Sequence, residues 1–242
     1  MDQELRTERQ KILNGIFFPT LFVAILWIIY FAQHVFHIES FDFGLFPRSF
    51  SRIYGIFTYQ LVHDTRGIGH IFSNSVPLLV LGSIIFYFYR GIAFPVFFWV
   101  YFMTGIWLWA AGRSGTCHVG SSGLVYGFVS FLFFSGIFRW DRRLLILSML
   151  VVFLYGSIIW GMFPITPSNV SWEGHLLGFV SGVVTAYFYR KEGPKKEEKH
   201  WDDDEEEEDS ELHGEEGAGQ DGTIINYEYK EKDEDRDTEE KR

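Results

Sequence analysis

Residues 120–127 read Gly-Ser-Ser-Gly-Leu-Val-Tyr-Gly and open an apolar stretch that continues to about residue 138. A transmembrane helix needs roughly 20 mostly apolar residues to cross the hydrocarbon core of a bilayer. Five further stretches fit that requirement, at about 13–36, 68–89, 92–111, 144–163 and 170–190. The sequence therefore predicts an all-α, polytopic membrane protein with a bundle of six transmembrane helices. The aromatic-rich connection 37–67 is too long for a simple turn, and we expect a long interfacial first loop there.

Acidic residues are concentrated at the C-terminal end of the chain. Residues 1–190 hold 12 Lys and Arg against 8 Asp and Glu, whereas residues 191–242 hold 9 against 23. A segment with so much charge and so little apolar surface favours disorder. We therefore predict an N-terminal segment (1–12), a membrane core (13–190) and an acidic disordered tail (191–242). Positive charge gathers on the N-terminal side of the predicted bundle, which indicates that both termini are cytoplasmic.

Polar side chains occur in three of the predicted helices, where a lipid-facing position would be costly. His70 and Asn74 lie four residues apart on one face of the second helix. Ser122 stands at the start of the fourth helix, and His175 lies near the start of the sixth. With cytoplasmic termini, all of these groups lie near the outer side of the membrane and at similar depth.

Glycines on two helices repeat at a spacing of four residues. Gly123 and Gly127 share one face of the fourth helix, and Gly174, Gly178 and Gly182 continue the spacing in the sixth. Small residues at this period let membrane helices pack backbone to backbone. Packing along these faces would bring Ser122 and His175 within hydrogen-bond reach, although the glycines alone predict only packing.

The polar groups together fit nucleophilic catalysis. A serine hydroxyl needs a neighbouring base to take its proton, and a neutral His175 is suited to that role. We expect no Asp or Glu of the apolar helices to orient this imidazole, so a Ser–His dyad is predicted. Tyr126, one turn after Ser122, could stack on the imidazole instead. His70, Asn74 and the Ser122 backbone N–H are candidate donors to an oxyanion.

Each signal is weak alone, because a serine at a helix start is usually a cap and a membrane histidine is often structural. The sequence lacks the motifs of other hydrolase classes. The chain has no His-Glu-x-x-His zinc motif, no Asp in the predicted spans, and Leu124 where a soluble Gly-x-Ser-x-Gly hydrolase needs glycine. Cys117 is the only cysteine, which excludes an internal disulfide framework and a multi-cysteine metal site.

The ordered set of motifs resembles the rhomboid family over residues 13–190. Its Gly-x-Ser-Gly pattern is present as Gly120–Gly123, its His-x-x-Gly pattern as His175–Gly178, and its His-x-x-x-Asn pattern as His70–Asn74. Tyr126 recurs at the family's position four residues after the serine. The resemblance implies an intramembrane serine endopeptidase with a six-helix protease core at 13–190. It assigns roles to eight residues, namely nucleophile (Ser122), general base (His175), oxyanion stabilisation (His70, Asn74) and support (Gly120, Gly123, Tyr126, Gly178).

By the same resemblance, we expect single-pass membrane proteins as substrates, cut in the lipid bilayer of the plasma membrane by a site that opens to the outer side. No cofactor, metal ion or nucleic acid is expected. Glu173-Gly174 before His175 departs from the family pattern, and the loop from His63 to His70 is longer than in familiar members. A client-binding relative without protease activity and a small transporter are the alternatives. The retained Ser122 and His175 disfavour the first, and the absence of inverted repeats disfavours the second.

Overall fold

The computed structural model describes residues 2–164 and 171–194, which are helical apart from connecting segments and one isolated antiparallel bridge. Six helices in these two ranges are longer than ten residues: α1 (Asp2–Val35), α4 (Gly69–Phe88), α5 (Ala93–Ala111), α6 (Ser122–Arg139), α7 (Arg142–Tyr155) and α8 (Trp172–Phe188). Two short helices, α2 (Ser40–Phe43) and α3 (Gly55–Thr58), lie in the connection between α1 and α4. Two 3-10 helices span Phe50–Arg52 and Gly156–Met162.

A helix lies in each of the six predicted apolar stretches. Four of these helices are long and apolar enough to cross a membrane, namely Leu5–Val35, Gly69–Phe88, Ala93–Ala111 and Ser122–Arg139. The protein is therefore a multi-pass membrane protein. With 14 and 17 residues, α7 and α8 are shorter than the other long helices.

The structure describes nearly all of the predicted N-terminal segment but little of the predicted acidic tail. Because α1 begins at Asp2, most of the N-terminal segment predicted for residues 1–12 is the first part of that helix. Residues 195–242, which hold nearly all of the predicted acidic tail, lie outside the described residues.

Large apolar side chains cover the outer surface of the bundle. Phe17 on α1 is 69% exposed, and Ile146 and Phe153 on α7 are 72% and 86% exposed. An apolar surface of this extent would be a liability in water but suits contact with lipid. The surface thus agrees with the assignment of the helices to a membrane.

Helix α6 is the central element and contacts α4, α5, α7 and α8. Its side chains Leu124, Phe131 and Leu132 are completely buried. On the face toward α8 the two backbones touch: a Cβ atom on Gly178 would overlap the carbonyl oxygen of Gly123. The glycine pattern therefore has the packing consequence expected from its spacing.

Hydrogen bonds between helices add to this packing. The Ser130 hydroxyl of α6 donates to the Phe179 carbonyl of α8 at 2.7 Å, and the hydroxyls of Thr104 on α5 and Ser181 on α8 are 2.9 Å apart. Such bonds satisfy polar groups that have no water to bind in an apolar interior.

The connection between α1 and α4 holds the segment that precedes α6. Leu45 and His118 exchange two backbone hydrogen bonds of 2.9 Å, and the Gly120 N–H donates to the Tyr59 carbonyl at 2.8 Å. The start of α6 is thus fixed by elements far away in sequence, and this matters for the residues that α6 presents at its first turn.

We expect Gly178→Ala to destabilise the protein, because the added methyl group meets the backbone of Gly123, which cannot rotate away. Overpacking of this kind typically costs about 1–3 kcal/mol. Gly69→Ala is the matched control, since a Cβ atom there has nothing within 4 Å. Unfolding midpoints in mixed micelles measure both variants, and equal midpoints would contradict the close approach of α6 and α8.

Candidate active site

A cavity of about 540 Å³ opens at the end of the bundle where α4, α6 and α8 begin. Its lining includes Ser122, His175, His70 and Asn74. These four residues come from three helices, and each lies within the first two turns of its helix. The structure therefore brings together the residues that the sequence singled out.

Ser122 and His175 are in direct contact, with 2.8 Å between Ser122 Oγ and His175 Nε2. The opposite ring nitrogen, Nδ1, lies 2.9 Å from the Gly161 carbonyl oxygen. A carbonyl oxygen can only accept, so Nδ1 carries the proton and Nε2 presents its lone pair to the serine hydroxyl. This tautomer is the one that can accept a proton from Ser122.

Tyr126 packs flat on the imidazole of His175, with ring centroids 4.2 Å apart and planes inclined by 10°. Gly161 completes the enclosure, because a Cβ atom there would overlap the Tyr126 hydroxyl and lie 3.2 Å from His175 Nδ1. The imidazole is thus fixed by a ring on one face and by a backbone carbonyl at its edge. The sequence analysis anticipated Tyr126 but missed Gly161, whose contribution comes from its backbone.

His70 and Asn74 approach the segment before α6 at Gly120. Gly120 has a φ of +100°, in a region that glycine adopts without strain. A Cβ atom on Gly120 would lie 2.7 Å from His70 Nε2 and 3.6 Å from Asn74 Nδ2. Glycine at this position therefore serves both the backbone turn and the close approach of the two polar side chains.

His63, buried in the connection before α4, contacts the same group of residues. Its Nε2 accepts a hydrogen bond from Asn74 Nδ2 at 3.2 Å and lies 3.4 Å from Ser121 Oγ. Burial, with a smaller effect of nearby His70, lowers the pKa of His63 to about 3, so its ring is neutral at physiological pH. His63 therefore orients the Asn74 amide as an acceptor. The sequence analysis noted His63 only as the start of a loop that is longer than in familiar members of the family.

Glu173 is an acidic side chain close to His175 in sequence, but it does not bind the imidazole. This residue lies in the first turn of α8, is 7% exposed and precedes His175 by two positions. Its carboxylate accepts from the side chain of Arg113 at 2.8 Å, whereas the imidazole of His175 binds the Gly161 carbonyl. Within residues 2–164 and 171–194, the Ser122–His175 pair thus has no carboxylate partner.

Cys117 also lines the cavity and offers a second nucleophilic atom. Burial raises the pKa of its thiol to about 11, so the thiolate is scarce at neutral pH. The described residues contain no group of three or more His, Cys, Asp or Glu side chains placed to hold a metal ion. The Ser122–His175 contact places a hydroxyl beside an imidazole, an arrangement that can support nucleophilic attack.

Comparison with known proteins identifies the family of the chain. The rhomboid domain model matches residues 51–192, a range that contains Ser122 and His175. An uncharacterized protein of Mycobacterium tuberculosis is 31% identical over 180 residues, which cover 69% of this chain and 71% of that protein. An uncharacterized protein of Mycobacterium leprae is 38% identical over 132 residues, which cover 49% of each. The family match spans more than half of the chain, and the protein therefore belongs to the rhomboid family, whose members are generally intramembrane serine proteases.

Proposed function

We propose that this protein is an intramembrane serine endopeptidase that hydrolyses peptide bonds in or near the transmembrane segments of other membrane proteins. The observation that carries the proposal is the 2.8 Å contact between Ser122 Oγ and His175 Nε2, with Nδ1 bound to the Gly161 carbonyl. The base is thereby held in the tautomer that serine activation requires.

The reaction follows from the positions of these two side chains. Ser122 Oγ attacks the peptide carbonyl carbon while His175 Nε2 takes the hydroxyl proton. The resulting imidazolium gives that proton to the leaving amine as the C–N bond breaks, which leaves an acyl-enzyme on Ser122. Water then attacks the ester with His175 again as the base, and the acid product and the free serine are released. The cavity is open enough to supply that water.

Oxyanion stabilisation is proposed for His70, Asn74 and the backbone N–H of Ser122. Ser122 is the first residue of α6, where the leading N–H groups of a helix have no partner within the helix. The Asn74 side chain is oriented by His63, and His70 lies against Gly120, two residues before the nucleophile. Donors fixed in advance around a developing negative charge are usually the largest contribution to catalysis.

We propose that all six long helices cross the bilayer. Helix α7 and the following 3-10 helix together cover Arg142–Met162, and α8 begins at the cavity, where a shorter helix is sufficient. Six crossings with the observed distribution of Lys and Arg give cytoplasmic termini in the plasma membrane and a cavity that opens to the outer side. The catalytic core would then be residues 13–190, and the acidic segment 191–242 a cytoplasmic tail.

Single-pass membrane proteins are the proposed substrates, in the surrounding lipid bilayer. A peptide bond in an intact transmembrane helix has its backbone groups hydrogen-bonded, so the chain must unwind locally before Ser122 can reach a carbonyl. Glycine, proline or polar residues near the outer end of the substrate helix lower the cost of that unwinding. A small side chain at the cleaved position is expected to be preferred.

Cleavage of a single-pass reporter in liposomes tests the proposal directly. We expect cleavage by the wild-type protein and none by Ser122→Ala, because the substitution removes the hydroxyl that contacts His175 Nε2. Ser51→Ala, an exposed serine in the first connection, is the matched control and should cleave like wild type. A fluorophosphonate should label Ser122 covalently only in the variants that cleave. Equal cleavage by wild type and Ser122→Ala would refute the assignment of the nucleophile.

Asn74→Leu tests the oxyanion site. Losing one oxyanion donor typically lowers kcat by about 10²–10³-fold. We expect a loss of this size with little change in KM, because the amide acts on the transition state rather than on the bound substrate. An unchanged kcat in the folded variant would remove Asn74 from the mechanism.

Gly161→Ala tests the orientation of the base. The added methyl group displaces the Tyr126 hydroxyl and crowds His175 Nδ1, so we expect kcat to fall by about 10²-fold, the loss typical of a misplacement near 1 Å. Gly156→Ala, in the same 3-10 helix, meets only an ordinary contact with Val152 at 3.6 Å and should keep full activity. Initial rates in liposomes compare the two, and equal rates would mean that the Gly161 carbonyl does not hold the imidazole.

A further inference from the structure

A second polar cluster lies between the segment before α6 and the first turn of α8. Its members are Arg113, Thr116 and His118 on one side and Ser171 and Glu173 on the other. None of these residues is required by the reaction described above. His118 precedes Ser122 by four positions, and Glu173 precedes His175 by two, so the cluster joins the two chain segments that carry the dyad.

The hydrogen bonds of the cluster form a chain in which each donor lies later in the sequence than its acceptor. The Thr116 hydroxyl donates to the Arg113 carbonyl at 2.7 Å, so its oxygen can only accept from His118 Nε2 at 2.8 Å. The other ring nitrogen of His118 then accepts from the Ser171 hydroxyl at 2.6 Å, and the Ser171 oxygen accepts from the Gly174 N–H at 3.3 Å. The Thr116, His118 and Ser171 side-chain donors are each used once, and the chain of bonds ends on the N-cap of α8.

Glu173 supplies the charge of the cluster. Its Oε1 accepts from both the backbone N–H and the side-chain Nε of Arg113, at 3.2 and 2.8 Å. Its Oε2 is buried, has no hydrogen-bond partner among the described residues and lies 3.9 Å from His118 Nε2. Burial lowers the pKa of His118 to about 4, so this ring is neutral and the Arg113 guanidinium provides the counter-charge. A buried carboxylate is strongly disfavoured without such a partner.

The first turn of a helix frays most easily, because its N–H groups lack partners within the helix. In α8 this turn leads directly into His175, and two groups stabilise it: the Ser171 cap and the acidic Glu173, which interacts favourably with the positive end of the helix dipole. Both groups are bound by residues of the segment that leads to Ser122. A loss of these contacts would let the start of α8 move relative to the nucleophile.

We propose that Glu173, held by Arg113 and adjoined by His118, is a positioning residue that keeps His175 in register with Ser122. Glu173 itself does not contact the reacting atoms. The glycine faces of α6 and α8 set how closely the helices pack, and the polar cluster sets how their outer ends are aligned. The inference rests on the proposed protease function. It adds that full activity requires Glu173 to be held by Arg113.

Glu173→Ala and Glu173→Gln distinguish positioning from simple stability. We expect Glu173→Ala to lower kcat by about 10²-fold with little change in KM, the loss expected for a misplaced catalytic group. Labelling of Ser122 by a fluorophosphonate should slow in parallel, since it reports the dyad without a protein substrate. Glu173→Gln keeps an acceptor for Arg113 and should recover most of the kcat. Glu8→Ala is the matched control, because Glu8 accepts a hydrogen bond from Tyr87 at the opposite end of α4.

Kinetics are measured on folded protein in liposomes, well below the unfolding midpoint of each variant. If Glu173→Ala matches Glu8→Ala in kcat and in labelling rate, the positioning role is refuted while the protease remains. If Glu173→Ala does not fold, the pair His118→Asn and His118→Leu decides instead. Asn can accept from the Ser171 hydroxyl and Leu cannot, so we expect only Leu to lower kcat, and equal rates for the two would overturn the inference. If the wild-type protein neither cleaves the reporter nor is labelled by the fluorophosphonate, the proposed function itself is refuted.

Discussion

Direct contact between the backbones of α6 and α8 is the constraint on which the candidate site depends. Gly178 has no side chain, and its α-carbon can therefore approach the carbonyl of Gly123 in the helix opposite. Ser122 lies one residue before that contact and His175 three residues before it. The separation of 2.8 Å between their side chains follows from helices packed at the smallest distance their backbones permit. Any larger residue along this contact would separate the hydroxyl from the imidazole.

Around this contact, the polar groups of an apolar bundle bind one another. Ser130 donates to the backbone of α8, and Thr104 meets Ser181, so these hydroxyls stabilise helix packing. Ser122 differs from them because its hydroxyl faces a cavity and its partner is a side chain that can gain and lose a proton. In the proposed mechanism, location at the open end of the bundle and contact with His175 distinguish Ser122 from these structural hydroxyls.

Local spacing in the sequence was sufficient to predict a mostly helical membrane protein, because apolar stretches and helical periodicity act over a few positions. The count of six crossings stays a prediction. Three features required the tertiary structure. His63 reaches Asn74 through a long loop, Gly161 acts through its carbonyl, and Glu173 binds Arg113, which lies 60 residues earlier in the chain. Hydrogen bonds between segments that are far apart in the chain leave no periodic pattern in the sequence, so they cannot be predicted from residue spacing. The roles of the site residues remain predictions, which cleavage and labelling can test.

The imidazole of His175 takes its orientation from a backbone oxygen rather than from an acidic side chain. Every residue type carries such an oxygen, so no amino-acid replacement removes the acceptor itself. A scan that truncates side chains one by one would find the nucleophile and the base but would not remove this hydrogen-bond acceptor. Only a change in the path of the chain at Gly161, through added bulk or a different backbone angle, would expose it. This hydrogen bond of the base thus depends on the course of the main chain at Gly161, whereas the contact with the Tyr126 ring depends on a side chain.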